Sequence, residues 1–434
     1  MKPLHFLLIA IFAAPAMVPL AAAQTLLFRA ATLHTITHGE ILGGEVLVKD
    51  GKIARVGKGL PSAGAKFIDL TGQHLYPGLI APNSSLGLVE IGAVRATQDT
   101  TEVGPFTPDV QAWIAVNPDS ELIPVARANG ITHALVVPAG GSVPGQSGLM
   151  ALAGWGVEEM TSKRAVAMHL QWPVMALDLT PKEYLRNASK WKSPEEQAKE
   201  RGKRVREIDD FFDEARAYAK ARGSGAKDLT THPSWEAMLP VVRGQLPVFV
   251  HAEDLRQIKA ALQWATQRNQ RIAIVGGRDA WLAADALAKA ATPVIFEHVF
   301  TLPPRDTDPH DVHFRAASQL QKAGVTVAFG LGLGSWGAAG LRNLPYSAAQ
   351  SLAHGLPVQE ALKTITLNPA KILGVDDRLG SIEPGKEASF IATDGDLLDI
   401  RSNVKRMWIA GKETSLESRH TRLYEKYRSR PKAN

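Results

Sequence analysis

The sequence predicts an α/β protein: a (β/α)8 TIM-like barrel joined to a small composite β-sandwich built from both ends of the chain. Three observations carry this. Seven short apolar runs alternate with amphipathic stretches through the middle of the chain, and two turn-rich β pieces lie at its opposite ends. The third is size: 434 residues, 45% hydrophobic and 21% charged, are enough for one barrel-sized core and a satellite.

Residues 1–23 stand apart. Lys2 and His5 precede an apolar run from Phe6 to Leu20, then Ala21-Ala22-Ala23, the three-part layout of a secretory signal peptide cleaved after Ala23. Pro15 and Pro19 interrupt a run already short for a span, so no membrane span is expected after cleavage. The expected location is periplasmic or secreted. With no cysteine, an exported chain cannot use disulfides and must draw its stability from burial.

Residues 24–77 read as the N-terminal part of the sandwich, with the hairpin signal Asp50-Gly51 between two alternating runs. Its C-terminal part is 378–415, where Asp394-Gly395 and Ala410-Gly411 supply turns. Neither piece is large enough to close a core alone, so the two are expected to pair. Between them, 78–377 is the barrel. Its strands are expected at "LYPGLIA" (75–81), "THALVVP" (132–138), "RAVAMHL" (164–170), "LPVFVHA" (246–252), "RIAIVGG" (271–277), "TPVIFEH" (292–298) and "VTVAFGL" (325–331). An eighth strand lies either in "SGLMALAGW" (147–155) or within 170–245.

Helices are legible between several of these runs. Ser193-Pro194-Glu195-Glu196 is a capping box with proline at the first helical position, opening a charged helix with Val205, Ile208, Phe212 and Ala215 on one face. Leu255, Ile258 and Leu262 stripe the helix after His251, and Glu253-Asp254 read as its start and cap. Trp281, Ala284, Leu287 and Ala288 stripe the next. Residues 416–434 form a basic tail. Of the formal charge of +6, four units come from position 412 onward, where seven Lys/Arg face three Glu. No aromatic-interleaved basic face accompanies them, so nucleic acid is not an expected partner.

The segments "VLVKDGKIARVG", "YPGLI", "EALKTITLNPAKILGVDDRLGSIEPGKEASFI" and "VKRMWIAGKE", in that order, resemble the amidohydrolase superfamily, in the branch that includes imidazolonepropionase. The resemblance runs to about Glu413 and is most specific over 360–391. It implies a hydrolase of C–N bonds that uses one or two divalent ions, usually zinc, held by imidazoles and carboxylates at the carboxyl ends of strands. The same resemblance assigns ligand positions, and most are altered here. Asn83 and Ser85 stand where a His-x-His pair is implied; Gly276 stands at the sixth strand, and Gly332 or Leu333 in place of an aspartate at the eighth. His251, on the fifth strand, keeps its type. An amide or hydroxyl is a weak zinc ligand, so the expected cofactor is none, or a weakly bound divalent metal, zinc if any.

Metal-ligand candidates are therefore His251 and His298, the latter beside Glu297 at a strand end and followed by a loop rich in His and Asp (Asp306, Asp308, His310, Asp311, His313). Substrate-binding candidates are Asn83, Ser85, Gln146 and Arg342, with Glu90, Arg95 and Asp99 just beyond the first barrel strand open to the same role; no catalytic residue is assigned. The glycines 330, 332, 334 and 337 imitate a dinucleotide loop, but Gln350 stands where its acidic residue belongs, so they read as turn geometry. Three functions follow: an exported C–N hydrolase of non-peptide or dipeptide amides with a degenerate metal site, an inactive homologue that binds a ligand or serves as a partner subunit, or a metal-free enzyme with His251 as general base. A small molecule is the expected partner in each case, and a homo-oligomer or pairing with an active homologue is the expected form of assembly.

Overall fold

A computed structural model describes residues 25–225 and 229–431; the signal peptide assigned to 1–23 lies outside the described residues, as does Lys432 of the tail. The chain first lays down β1 (Thr25–His34), β2 (Glu40–Leu42), β3 (Glu45–Lys49), β4 (Lys52–Gly57) and β5 (Lys66–Pro77). It then builds β6 (Leu79–Ser84), β7 (Ile131–Val136), β8 (Gly145–Ala151), β9 (Thr161–Gln171), β10 (Val248–Ala252), β11 (Ile272–Gly276), β12 (Val294–Phe296) and β13 (Val327–Phe329). It returns through β14 (Phe390–Thr393), β15 (Val404–Ile409) and β16 (Lys412–Thr414).

The two chain ends do pair. One eight-stranded sheet runs β16-β15-β14-β5-β1-β3-β4, with β2 beside β1. Its strands follow one hydrogen-bonded path, and the sheet curls so that the turns at its two edges meet. At Asp50-Gly51 both residues have positive φ, and so do Ala410 and Gly411, the mirror-image hairpin geometry that suits twisted strands. Gly51 lies so close to the second turn that a Cβ there would stand 2.5 Å from the Ala410 carbonyl oxygen. Inside the curl, Phe28 meets Phe390 and Trp408 edge-on, with ring centroids 5.4 and 5.0 Å apart, and all three side chains are buried. Such pairs add about 0.5–1.5 kcal/mol each beyond their burial.

The second sheet is the barrel wall, ordered β6 to β13. Neighbours pair in parallel except at β8, which is antiparallel to both β7 and β9. The eighth strand thus falls in the first of the two expected places. Its direction departs from the all-parallel pattern because only the turn around Gly140–Gly141, both at positive φ, separates it from β7, too short for a helical crossover. Val136 pairs with Gly148 and His169 with Gly145, so the start of β8 lies level with the carboxyl ends of its neighbours.

Side-chain parity divides the wall. Leu135, Val137, Leu149, Ala167, Phe249, Ala273, Val275 and Ile295 form one buried cluster, joined by Ala370, Leu373, Val375 and Leu379. These last residues close the lower end: the Asn368 side chain donates to the carbonyl of Val327, the first residue of β13. Opposite parity packs outward, where Met168, Leu170, Val248, Val250, Ile272 and Ile274 meet Ile258, Ala261 and Leu262 of the helix Leu255–Arg268. The interior is therefore a filled core, with the buried His133 and the half-buried Lys163, which donates to the Leu373 carbonyl, toward its lower end and a ring of polar groups at its upper end.

The helix starts agree with the capping signals. Ser193 and Glu196 bond reciprocally at the head of the helix Pro194–Gly223, and Asp254 and Gln257 do so at Leu255. The tail forms the exposed helix Arg419–Arg428, tied back by Arg422 to Glu121. Among the described residues, no helix is long and apolar enough to cross a membrane.

Candidate active site at the barrel mouth

Above the apolar plug, β9 and β10 each raise one imidazole. His169 Nδ1 and His251 Nε2 lie 2.9 Å apart, so one ring donates to the other. Burial holds both well below the ordinary imidazole range, His251 at about 4, and the pair is uncharged at neutral pH. His169 Nε2 is buried and has no hydrogen-bond partner.

Two glutamates complete the ring of polar groups. Glu297 follows β12, two residues after the core residue Ile295 and on the same parity. Its Oε1 accepts a 2.5 Å hydrogen bond from the Asn83 side-chain amide, which β6 delivers fully buried. Burial pushes the Glu297 carboxyl up to about 7; the Asn83 donor opposes this and the nearby charge of Glu253 adds to it. Glu253 follows β10. Its Oε2 lies 2.6 Å from His298 Nε2 and accepts from the Arg278 backbone amide. Burial raises the Glu253 carboxyl, but the hydrogen bond and charge of His298 together with the Arg278 amide outweigh it, leaving the group below the ordinary carboxylate range.

The glutamates fit because two neighbouring strand ends are glycine. A Cβ at Gly276 would stand 2.4 Å from Glu253 Oε1, and one at Gly330 would stand 2.8 Å from Glu297 Oε1. Each carboxylate therefore occupies space beside the end of the next strand. The mouth remains open to water: the Glu253 side chain is 42% exposed.

The structure brings together Asn83, His251 and His298 of the sequence candidates, and adds His169, Glu253 and Glu297. It puts Ser85 beside them, but spends its hydroxyl in accepting from the Gly334 amide and so fixing the loop after β13. Gln146 is level with the mouth at the start of β8, its side chain donating to the Pro108 carbonyl. Arg342 lies elsewhere: its side chain is exposed, and its carbonyl accepts from Asn129, just before the lower end of β7. Three residues of the His- and Asp-rich loop, Asp308, Asp311 and His313, are spent on the local fold. Arg305 joins Asp279 and Asp308, Arg315 joins Asp311, and His313 is held by Thr301.

A catalytic zinc needs about three protein ligands and an open position. Here the amide of Asn83 is committed to Glu297, the Ser85 hydroxyl to Gly334, and the sixth- and eighth-strand positions carry no donor side chain. Among the described residues, no three His, Cys, Asp or Glu side chains converge so as to hold a metal ion. As arranged, the residues present do not fit that centre.

A barrel with imidazoles and carboxyls at its strand ends, capped by a sheet from both chain ends, is the architecture of the metal-assisted hydrolases. The chain belongs to the amidohydrolase family, whose model, described as "Amidohydrolase family", matches residues 161–414. It is similar to a crystal structure of an amidohydrolase from Thermotoga maritima MSB8, at 29% identity and a TM-score of 0.77, over 90% of this chain and 99% of that one. Amidohydrolase tasK of Hapsidospora irregularis is 23% identical over 408 residues, 85% of this chain and 39% of that protein. D-hydantoinase of Geobacillus stearothermophilus is 39% identical over 81 residues, 19% of this chain and 16% of that protein. The chain thus spans less than half the length of either of these two curated relatives.

Proposed function

We propose that the chain is an exported hydrolase of C–N bonds in non-peptide or dipeptide amides, with a reduced metal site and with Glu297 as its acid–base group. The observation that carries this is a carboxyl in the mouth whose proton affinity lies near neutral pH, held in place by Asn83. Such a group exists in both protonation states at working pH, which is what general acid–base catalysis requires. In the ionised form Glu297 accepts a proton as water adds to the carbonyl carbon; in the protonated form it returns that proton to the nitrogen as the C–N bond breaks. Glu253, kept ionised by its contacts with His298 and Arg278, maintains the raised proton affinity of its neighbour. Asn83 positions Glu297. The reading of export rests on the pattern of residues 1–23, and N-terminal sequencing of the mature protein tests it: an N-terminus at Gln24 is expected, and a retained Met1 overturns it.

A cyclic diamide of the hydantoin type and a dipeptide serve as probes of the site. Glu297→Gln is expected to lower kcat/KM by about 100-fold or more, with the far-UV spectrum unchanged. Hydrolysis that survives this substitution removes Glu297 from the mechanism. No turnover of either probe, or of other amides, by the intact protein counts against a hydrolase.

A further inference from the structure

A second polar site lies at the opposite end of the barrel, beneath the apolar plug. There the lower ends of β9, β10 and β11 and the end of the helix Leu367–Ile372 enclose a cavity of about 270 Å³. Its inner wall is the underside of the plug, made by Val166, Phe249, Ala273 and Leu373. Three cationic side chains, Lys163, Arg271 and Lys371, join this apolar wall, and no carboxylate lines the cavity.

A bulge in β9 puts Lys163 there. Between the pairs Ser147–Ala167 and Leu149–Lys163, two steps along β8 are matched by four along β9, and Ala165 inside this bulge takes a φ of 43°. An alanine in that conformation is strained, and a bulge re-aims the side chains beside it. The Lys163 amine donates to the Leu373 and Gly374 carbonyls, each 2.9 Å away, and a Cβ at Gly374 would stand 3.1 Å from it. An ammonium has three donors, so one is left. Burial lowers the proton affinity of Lys163; the charges of Arg378 and Arg271 lower it further, while those of Asp377 and Asp376 oppose them.

The other two cations have no partner. Arg378, just outside the cavity, is joined to Glu387, but Arg271 and Lys371 make no side-chain hydrogen bond or ion pair among the described residues. Next in sequence to Arg271, the buried amide nitrogen of Gln270 also lacks an acceptor. Donors thus outnumber acceptors around one concave, partly apolar space, and its like charges repel one another until an anion joins them.

We infer that this lower cavity binds a small organic anion, a carboxylate or phosphate group on a compact apolar body. The Arg271 guanidinium takes two oxygens of the head group, Lys371 adds a point charge and Lys163 its remaining N–H, while the body lies against Phe249 and Ile272. A few polar groups set on apolar walls are the usual make-up of a small-molecule site. The inference is independent of the hydrolase reading, since the plug separates this cavity from Glu297.

Calorimetric titration of the full chain with benzoate, phenyl phosphate and the neutral benzyl alcohol tests it. At least one of the anions is expected to bind saturably, about tenfold or more tightly than benzyl alcohol, and the tighter of the two names the head group. Arg271→Gln combined with Lys371→Gln, both at exposed positions, is expected to weaken that anion about tenfold while the thermal transition stays in place. Arg278→Gln, at the mouth, is expected to leave the affinity unchanged. No saturable binding of either anion, equal binding of the alcohol, affinity that survives the double substitution, or affinity lost in Arg278→Gln overturns the inference.

Discussion

The composite sheet and the barrel mouth both depend on glycines packed against a neighbour, but what each glycine faces differs. At the edge of the sheet, Gly51 presses on the backbone carbonyl of Ala410, which cannot move without opening a hairpin. At the mouth, Gly276 and Gly330 face the carboxylate ends of glutamate side chains, which hydrogen bonds rather than the backbone hold in place. The first arrangement holds the fold, and the second positions chemistry.

Substitutions in the two regions should break in different ways. The largest loss of stability is expected from Phe28→Ala, which empties the centre of the curled sheet against Phe390 and Trp408: about 3–5 kcal/mol in urea unfolding, with ligand binding retained in the folded fraction. Gly51→Ala comes next, at about 1–3 kcal/mol, because alanine must adopt a φ of 74° and also clash with Ala410. An intact melting temperature there would mean that the two hairpins do not meet.

A pH-dependent effect follows at the mouth. The folded-state value of Glu297, raised to about 7, exceeds the 4.5 of an ordinary glutamate, so holding the proton favours the folded protein. That contribution is complete below the ordinary value and is lost as pH rises through about 7. Glu297→Gln lacks this titration, so thermal melts should show the wild type losing ground to the variant across that window. Parallel curves at every pH would remove the buried, raised carboxyl. Smallest in stability is Gly330→Ala, expected to cost under about 1 kcal/mol while displacing the Glu297 carboxylate, visible as a changed chemical shift of that side chain.

Much of the fold was legible because it follows from periodicity and turn chemistry. The apolar runs marked the barrel strands, Asp50-Gly51 marked a hairpin, and Ser193 and Asp254 marked two helix starts. The reversed direction of β8 was not, since an apolar run reads the same in either direction. The mouth was half legible. His251, His298 and Asn83 could be placed from strand ends, but Glu253 adjoins the true cap, Asp254, and so read as part of the helix start. Its signal lay one strand over, in the glycine at 276 that makes room for it. Glu297 was visible only as the neighbour of His298, although the two-residue spacing from Ile295 already put it on the inner face. His169 was hidden because the fourth strand had no fixed place. Arg342 shows the opposite error: proximity in sequence to the last strand did not bring it to the mouth, because the short helix Gly334–Gly340 carries the chain away first.

The metal content of protein purified without chelator, before and after soaking in zinc, tests most directly whether carboxylates rather than an ion organise this mouth. A content well below one ion per chain is expected both times. A full equivalent of zinc, lost on His251→Ala, would contradict it.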